Sequence, residues 1–187
     1  MKKILFALLL VGAIYLLVSC TQKKSKAASE AAVNANKAAG EAFMAQVASE
    51  EGVTRTSSGL CFRVLEQGTG EVPTPDDRVI VHYRGTLIDG TVFDSSYDRG
   101  TPAVFGVTEV IPGWTEALCM MPVDSKYQLY IPQHLAYGAR SVGRDIKPFS
   151  ALIFDVELLG IQKSGNDDGK IKLDDKKKTK KKGCCGG

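Results

Sequence analysis

Residues 79–96 read VIVHYRGTLIDGTVFDSS, and their pattern decides what kind of fold the chain can adopt. Val79, Val81 and Tyr83 alternate with Ile80, His82 and Arg84, so an extended strand would present the first three on one face. Asp89-Gly90 is a hairpin signal that returns the chain, antiparallel, through the segment bearing Phe93. Working outward, Gly59 to Gln67 reads as an earlier strand closed by Gly68-Thr69-Gly70, and Ala103, Phe105 and Val107 share parity on a later one. Tyr127, Leu129 and Ile131 alternate again, as do Leu152, Phe154, Val156 and Leu158. Pro112-Gly113 precedes the one helix expected in this region, Trp114 to Met121, where Trp114, Leu118 and Met121 share a face and Pro122 ends the run. Four or five alternating strands with one amphipathic helix predict an α+β fold, an antiparallel twisted sheet wrapped around a short helix.

The chain has 187 residues, 44% of them hydrophobic, and a formal charge of only +3. That suits one folded domain with appendages and gives no global attraction to nucleic acid. Residues 1–19 place Lys2 and Lys3 ahead of an apolar run, Ile4 to Val18, shorter than the roughly 20 residues of a spanning helix. The pattern is that of a secretory signal, with an uncleaved anchor as the alternative. Residues 20–29 are polar and read as tether. Residues 30–52 are rich in Ala, Glu, Asn and Lys and lack proline, which suits a helix. Their apolar stripe, Val33, Phe43, Met44 and Val47, is thin, so a solvated helical spacer is expected. The folded domain then spans 59–162. Residues 163–187 are lysine-rich and aromatic-free, with too little apolar surface to offset the entropy of ordering.

Rings recur through the domain: Tyr83, Phe93, Phe105, Trp114, Tyr137 and Phe154. Rings at alternating strand positions are ordinarily core, and alternation alone assigns Phe105 there. Trp114 following Pro-Gly, and Tyr137 inside the polar loop Ala136-Tyr137-Gly138, point instead to an apolar cup. The segments VHYRGTLIDGTVFDSS, EVIPGWTEAL, LAYGAR and ALIFDVELLGI follow in order between Gly59 and Gln162. In these motifs the chain resembles the FKBP-type peptidyl-prolyl isomerases, in wording closest to their bacterial macrophage-infectivity-potentiator-like branch.

The resemblance implies an FKBP-like fold and cis–trans isomerisation of Xaa-Pro bonds in proline-containing unfolded or exported polypeptides. It also implies binding of the family's macrolide inhibitor. Trp114 would be the floor of the pocket, with Tyr83, Phe93, Val110, Ile111, Ile146 and Phe154 as walls and Phe105 among the substrate-binding residues. Tyr137 would offer its hydroxyl to a substrate carbonyl, and the Ile111 amide would do the same from the other side. Asp94 would face the polarised carbonyl, with Arg99 holding Asp94 and Tyr83 in place; turn chemistry in Phe-Asp-Ser-Ser is the other reading of Asp94. Asp94, Tyr137 and Phe93 are thus the candidate catalytic residues. No bond is broken, so the reaction calls for no cofactor, metal or nucleophile. A non-catalytic peptide-binding chaperone or scaffold using the same pocket is the alternative function, and adhesion by an anchored surface domain is a third.

Departures from the family pattern include Ala103, where many relatives carry phenylalanine, and Arg144, Asp145 and Lys147, which add charge to the loop 141–148. Leu17-Val18-Ser19-Cys20 is similar to a bacterial lipobox, which would make Cys20 a lipidated N-terminus. The domain would then sit in a bacterial cell envelope, held by lipid at the outer membrane and facing the periplasm, with surface exposure left open. Cys61 and Cys119 either pair or stand alone. His82 and His134 are unclustered and predict no metal site. Cys184-Cys185 could bind a soft metal or be plain tail.

Overall fold

The computed structural model describes residues 28–163. In chain order these form helix α1 (28–47) and strands β1 (Val53–Arg55), β2 (Cys61–Glu66), β3 (Arg78–Leu87), β4 (Val92–Ser95) and β5 (Ala103–Gly106). Helix α2 (Pro112–Leu118), strand β6 (Lys126–Ile131), a 3-10 turn (Gln133–Leu135) and strand β7 (Leu152–Gln162) complete them. All strand pairings are antiparallel, in the order β1-β2-β6-β7-β3-β4. Strand β5 shares the free edge of β3 with β4: it pairs with Arg78 to Val81, while β4 pairs with Arg84 to Thr86.

The inner face carries the expected alternation. Val79, Val81 and Tyr83 of β3, Tyr127, Leu129 and Ile131 of β6, and Leu152, Phe154, Val156 and Leu158 of β7 enclose α2 in one core. The last of these runs ends at a bulge: Ile80 faces Gly160 but Val81 faces Leu158, leaving Leu159 as the extra residue. Helix α2 begins with Pro112 in its first turn, where a missing N–H costs nothing. It ends at Leu118, three residues before the expected Met121. Met121 is nonetheless fully buried, because its amide bonds to the Leu118 carbonyl at 3.2 Å and a tight turn continues the helical face. Among the described residues there are seven strands against the four or five expected. Short pieces such as the three-residue β1 cannot display a period of two.

The outer face departs most from the sequence reading. Segment 30–52, expected as a solvated spacer, is helical to residue 47 and lies on the sheet. Val47, Cys61 and Tyr130 are buried together there, with Phe43, Met44, Val53 and Ile153 packed around them. Cys61 thus belongs to the outer cluster, whereas Cys119 packs against the inner core; both thiols are free. The sheet separates them, which decides the pairing question. The signal, the tether up to residue 27, Cys20 and the tail 164–187 lie outside the described residues.

Candidate active site

Trp114 is carried by the first turn of α2 and is buried in the core between that helix and the sheet. Three rings stand edge-on to it: Phe154 at 5.2 Å and 85°, Tyr83 at 5.3 Å and 88°, and Phe105 at 6.0 Å and 90°. Phe93 meets Phe154 edge-on at 5.5 Å. Such geometry places the positive edge of one ring on the negative face of the next. The result is a cavity of about 450 Å³ lined by Tyr83, Phe93, Asp94, Phe105, Glu109, Val110, Ile111, Trp114, Tyr137 and Phe154.

Two carboxylates line this cup, Asp94 and Glu109, and Asp94 is fixed on both of its oxygens. Asp94 Oδ2 accepts from the Tyr83 hydroxyl at 2.5 Å, and Oδ1 pairs with Arg99. Arg99 also donates to the Tyr83 oxygen at 2.8 Å, with its guanidinium 5.4 Å from the Tyr83 ring centroid. Burial alone would raise the Asp94 carboxyl; the bonds from Tyr83, Arg99 and the Ser95 amide outweigh it and hold it below the usual carboxylate range. Burial pushes the Tyr83 phenol up, and its bond to Asp94 adds to this. Burial likewise raises Tyr137, with the Asp94 charge adding to it. Tyr137 is therefore a neutral donor, and among the described residues nothing accepts from its hydroxyl. The same holds for the Ile111 amide, which precedes α2 in extended conformation.

Most of the residues expected at the site converge. Tyr83, Phe93, Asp94, Phe105, Val110, Ile111, Trp114, Tyr137 and Phe154 line one space. Arg99 is outside the lining and reaches Asp94 and Tyr83 from the rim. Ile146, expected as a wall, is a correction: a backbone bridge to Val142 tucks it into the core at 5% exposure, and it does not line the cavity. Ala103 is half-buried and packs against the core. Glu109 was not among the candidates, although it directly precedes Val110 and Ile111. Its carboxylate accepts from the Gly106 amide at 3.1 Å and from Arg78 at 3.3 Å, at the rim. No group of three or more His, Cys, Asp or Glu suited to a metal occurs among the described residues.

Residues 70–159 match the family described as FKBP-type peptidyl-prolyl cis-trans isomerase, and residues 11–64 match the domain amino terminal to it. The Macrophage infectivity potentiator of Trypanosoma cruzi is 44% identical over 167 residues, covering 88% of this chain and 85% of that protein. This chain belongs to the FKBP-type peptidyl-prolyl isomerase family. Among other FKBP relatives, the FKBP-type 22 kDa peptidyl-prolyl cis-trans isomerase of Escherichia coli is 60% identical over 124 residues, 66% of this chain and 60% of that protein. The Outer membrane protein MIP of Legionella longbeachae is 49% identical, over 69% of this chain and 55% of that one. The chain therefore spans little more than half the length of these bacterial FKBP relatives. The crystal structure of FkpA from Escherichia coli superimposes with a TM-score of 0.72 at 42% identity, covering 81% of this chain and 70% of that one.

Proposed function

We propose that the chain is a peptidyl-prolyl cis–trans isomerase that assists the folding of envelope proteins. The observation that carries this reading is the cup itself: rings on every side, one carboxylate held by Tyr83 and Arg99, and a Tyr137 hydroxyl without a partner among the described residues. Amide resonance gives a rotation barrier of about 18–20 kcal/mol and makes the uncatalysed event take tens to hundreds of seconds. Completing it in milliseconds requires removing roughly 6 kcal/mol. A twisted amide has lost resonance and with it much of its charge separation, so it needs water less than the planar form does. An apolar enclosure then binds the twisted form better, which is catalysis by differential binding.

In this scheme the proline ring rests on Trp114. Tyr137 and the Ile111 amide donate to substrate carbonyls on either side and fix the peptide while the bond turns. Asp94, kept ionised by its partners, faces the carbonyl of the turning bond, and Phe93 and Phe154 exclude water. The test is a protease-coupled assay on a proline tetrapeptide with the full chain. Asp94→Val and Phe93→Ala are expected to lower kcat/KM by about 10- to 100-fold with the fold intact, magnitudes typical of lost orientation or lost electrostatic stabilisation. Full activity in both variants would refute the site. Peptide binding without any acceleration by the native chain would replace catalysis with a peptide-holding role.

The lipobox supports attachment through lipid on Cys20, each buried methylene contributing about 0.8 kcal/mol. Among the described residues no helix is long and apolar enough to cross a membrane. The placement proposed is a lipid-anchored domain at the outer membrane, facing the periplasm. Cys20→Ser is expected to move the protein from the membrane fraction to the soluble one; retention at the membrane would remove the lipid assignment.

A further inference from the structure

Helix α1 does more than cover the outer face, because one of its side chains grips the loop that leads to the cavity. Asn36 stands in an alanine-rich helix where asparagine is a poor helix former, and it is part-buried. Its Nδ2 donates to the Pro148 carbonyl at 2.6 Å and to Ser150 Oγ at 3.1 Å, using both amide hydrogens. One residue on, the Lys37 ammonium lies 5.5 Å from the centre of the Phe149 ring. A turn later, a Cβ on Gly40 would sit 3.4 Å from the Ala151 Cβ and 3.5 Å from the Phe149 carbonyl oxygen. Helix and loop are therefore in close backbone contact over residues 148–151.

The residue between these contacts is held in an unusual conformation. Phe149 has φ +61°, which a bulky side chain rarely adopts and which persists only where its surroundings over-determine it. In this conformation its amide donates to the Gly138 carbonyl at 2.7 Å. Gly138 directly follows Tyr137, whose ring lines the cavity and whose hydroxyl is held by no described residue. The position of Tyr137 thus rests on the turn 136–138, the turn on Phe149, and Phe149 on the two carbonyl and hydroxyl groups that Asn36 binds.

We propose that Asn36 is a positioning residue for Tyr137, so that α1, on the far side of the sheet, sets how well the cavity holds its substrate. This rests on reading the cavity as an isomerase site. Physical contiguity alone does not establish coupling, so the test must show that Asn36 acts through Tyr137. Asn36→Ala in the full chain is expected to speed amide hydrogen exchange at Phe149 by about tenfold, as local opening becomes easier. It is expected to lower kcat/KM about 3- to 10-fold through misplaced orientation, and to have no further effect in a Tyr137→Phe background, the non-additivity of groups acting as one unit. Ser150→Ala, which removes only one of the two acceptors, should shift the same quantities less and guards against a folding defect in the first variant. Unchanged exchange at Phe149 would overturn the proposal whatever the turnover. So would equal losses of kcat/KM on Asn36→Ala with and without the Tyr137 hydroxyl. A native chain with no isomerase activity would refute the isomerase reading instead; the exchange at Phe149 and the Tyr137 ring resonances would still report whether Asn36 holds the turn.

Discussion

Gly85 lies under the two rings that close the cup. A Cβ there would stand 2.6 Å from Phe93 Cζ and 2.8 Å from Phe154 Cε1, so Gly85→Ala must displace at least one wall. Phe93 is the half-buried, more movable ring, and its displacement admits water beside Asp94. The expected outcome is a loss of about 10- to 100-fold in kcat/KM with a modest fall in Tm, read by the proline-peptide assay and by the fluorescence of Trp114, the chain's single tryptophan. Tyr83→Phe probes the carboxylate instead. It deletes the 2.5 Å bond to Asp94 and leaves burial in place, so the side-chain carboxyl should titrate at higher pH than in the native chain, since a donor to the charged form has been lost. Carboxyl NMR titration measures this; an unmoved Asp94 would mean that Arg99 alone sets its ionisation.

At the level of elements, docking of α1 rests on a small apolar patch. Val47 is 2% exposed and meets Cys61 and Tyr130. Val47→Ala should cost about 2 kcal/mol, the lost transfer and cavity contributions of a buried aliphatic group, seen as a lower denaturant midpoint with unchanged slope. The patch explains what the sequence did not reveal. The residues it covers, Cys61, Tyr130 and Ile153, sit out of phase with Leu129 and Phe154 on strands whose other parity fills the core, so alternation assigns them to solvent. Only a neighbour supplied from outside the sheet buries them, and the stripe Phe43, Met44, Val47 is too short to announce that neighbour. By contrast β3, the hairpin at Asp89-Gly90 and the face of α2 were legible because each buries one side only and its period shows it. Ile146 was misread for a related reason: loop burial has no period, and only the bridge to Val142 turns its side chain inward.

Over the whole molecule, stability against pH should follow a plateau with two limbs whose signs come from different groups. Asp77 is buried; burial would raise its carboxyl, but the Thr74 amide at 2.8 Å, the Thr74 hydroxyl at 2.7 Å and Lys163 at 3.2 Å hold it below its ordinary value. Asp94 is depressed in the same sense. A carboxyl lowered on folding stabilises the fold above its unfolded pKa of about 3.9, and that contribution is lost as pH falls through the folded value. Tyr97 makes the opposite limb. The residue is 42% exposed, yet desolvation of its covered part first, and then its bond to Glu157 at 3.0 Å, push its phenol from 10.0 up to about 12. A group raised on folding contributes fully below its unfolded value and loses that contribution as pH rises through the folded one, so the alkaline decline belongs between pH 10.0 and about 12. Lys163, raised by its bond to Glu71 and then by Asp77, adds to the same limb. Urea midpoints across pH should therefore fall on both sides. Asp77→Asn should lower the plateau and flatten the acid limb, whereas Tyr97→Phe should flatten only the alkaline one. An alkaline limb of unaltered steepness in Tyr97→Phe would assign it to Lys163 and to Tyr83, Tyr130 and Tyr137, which burial also raises.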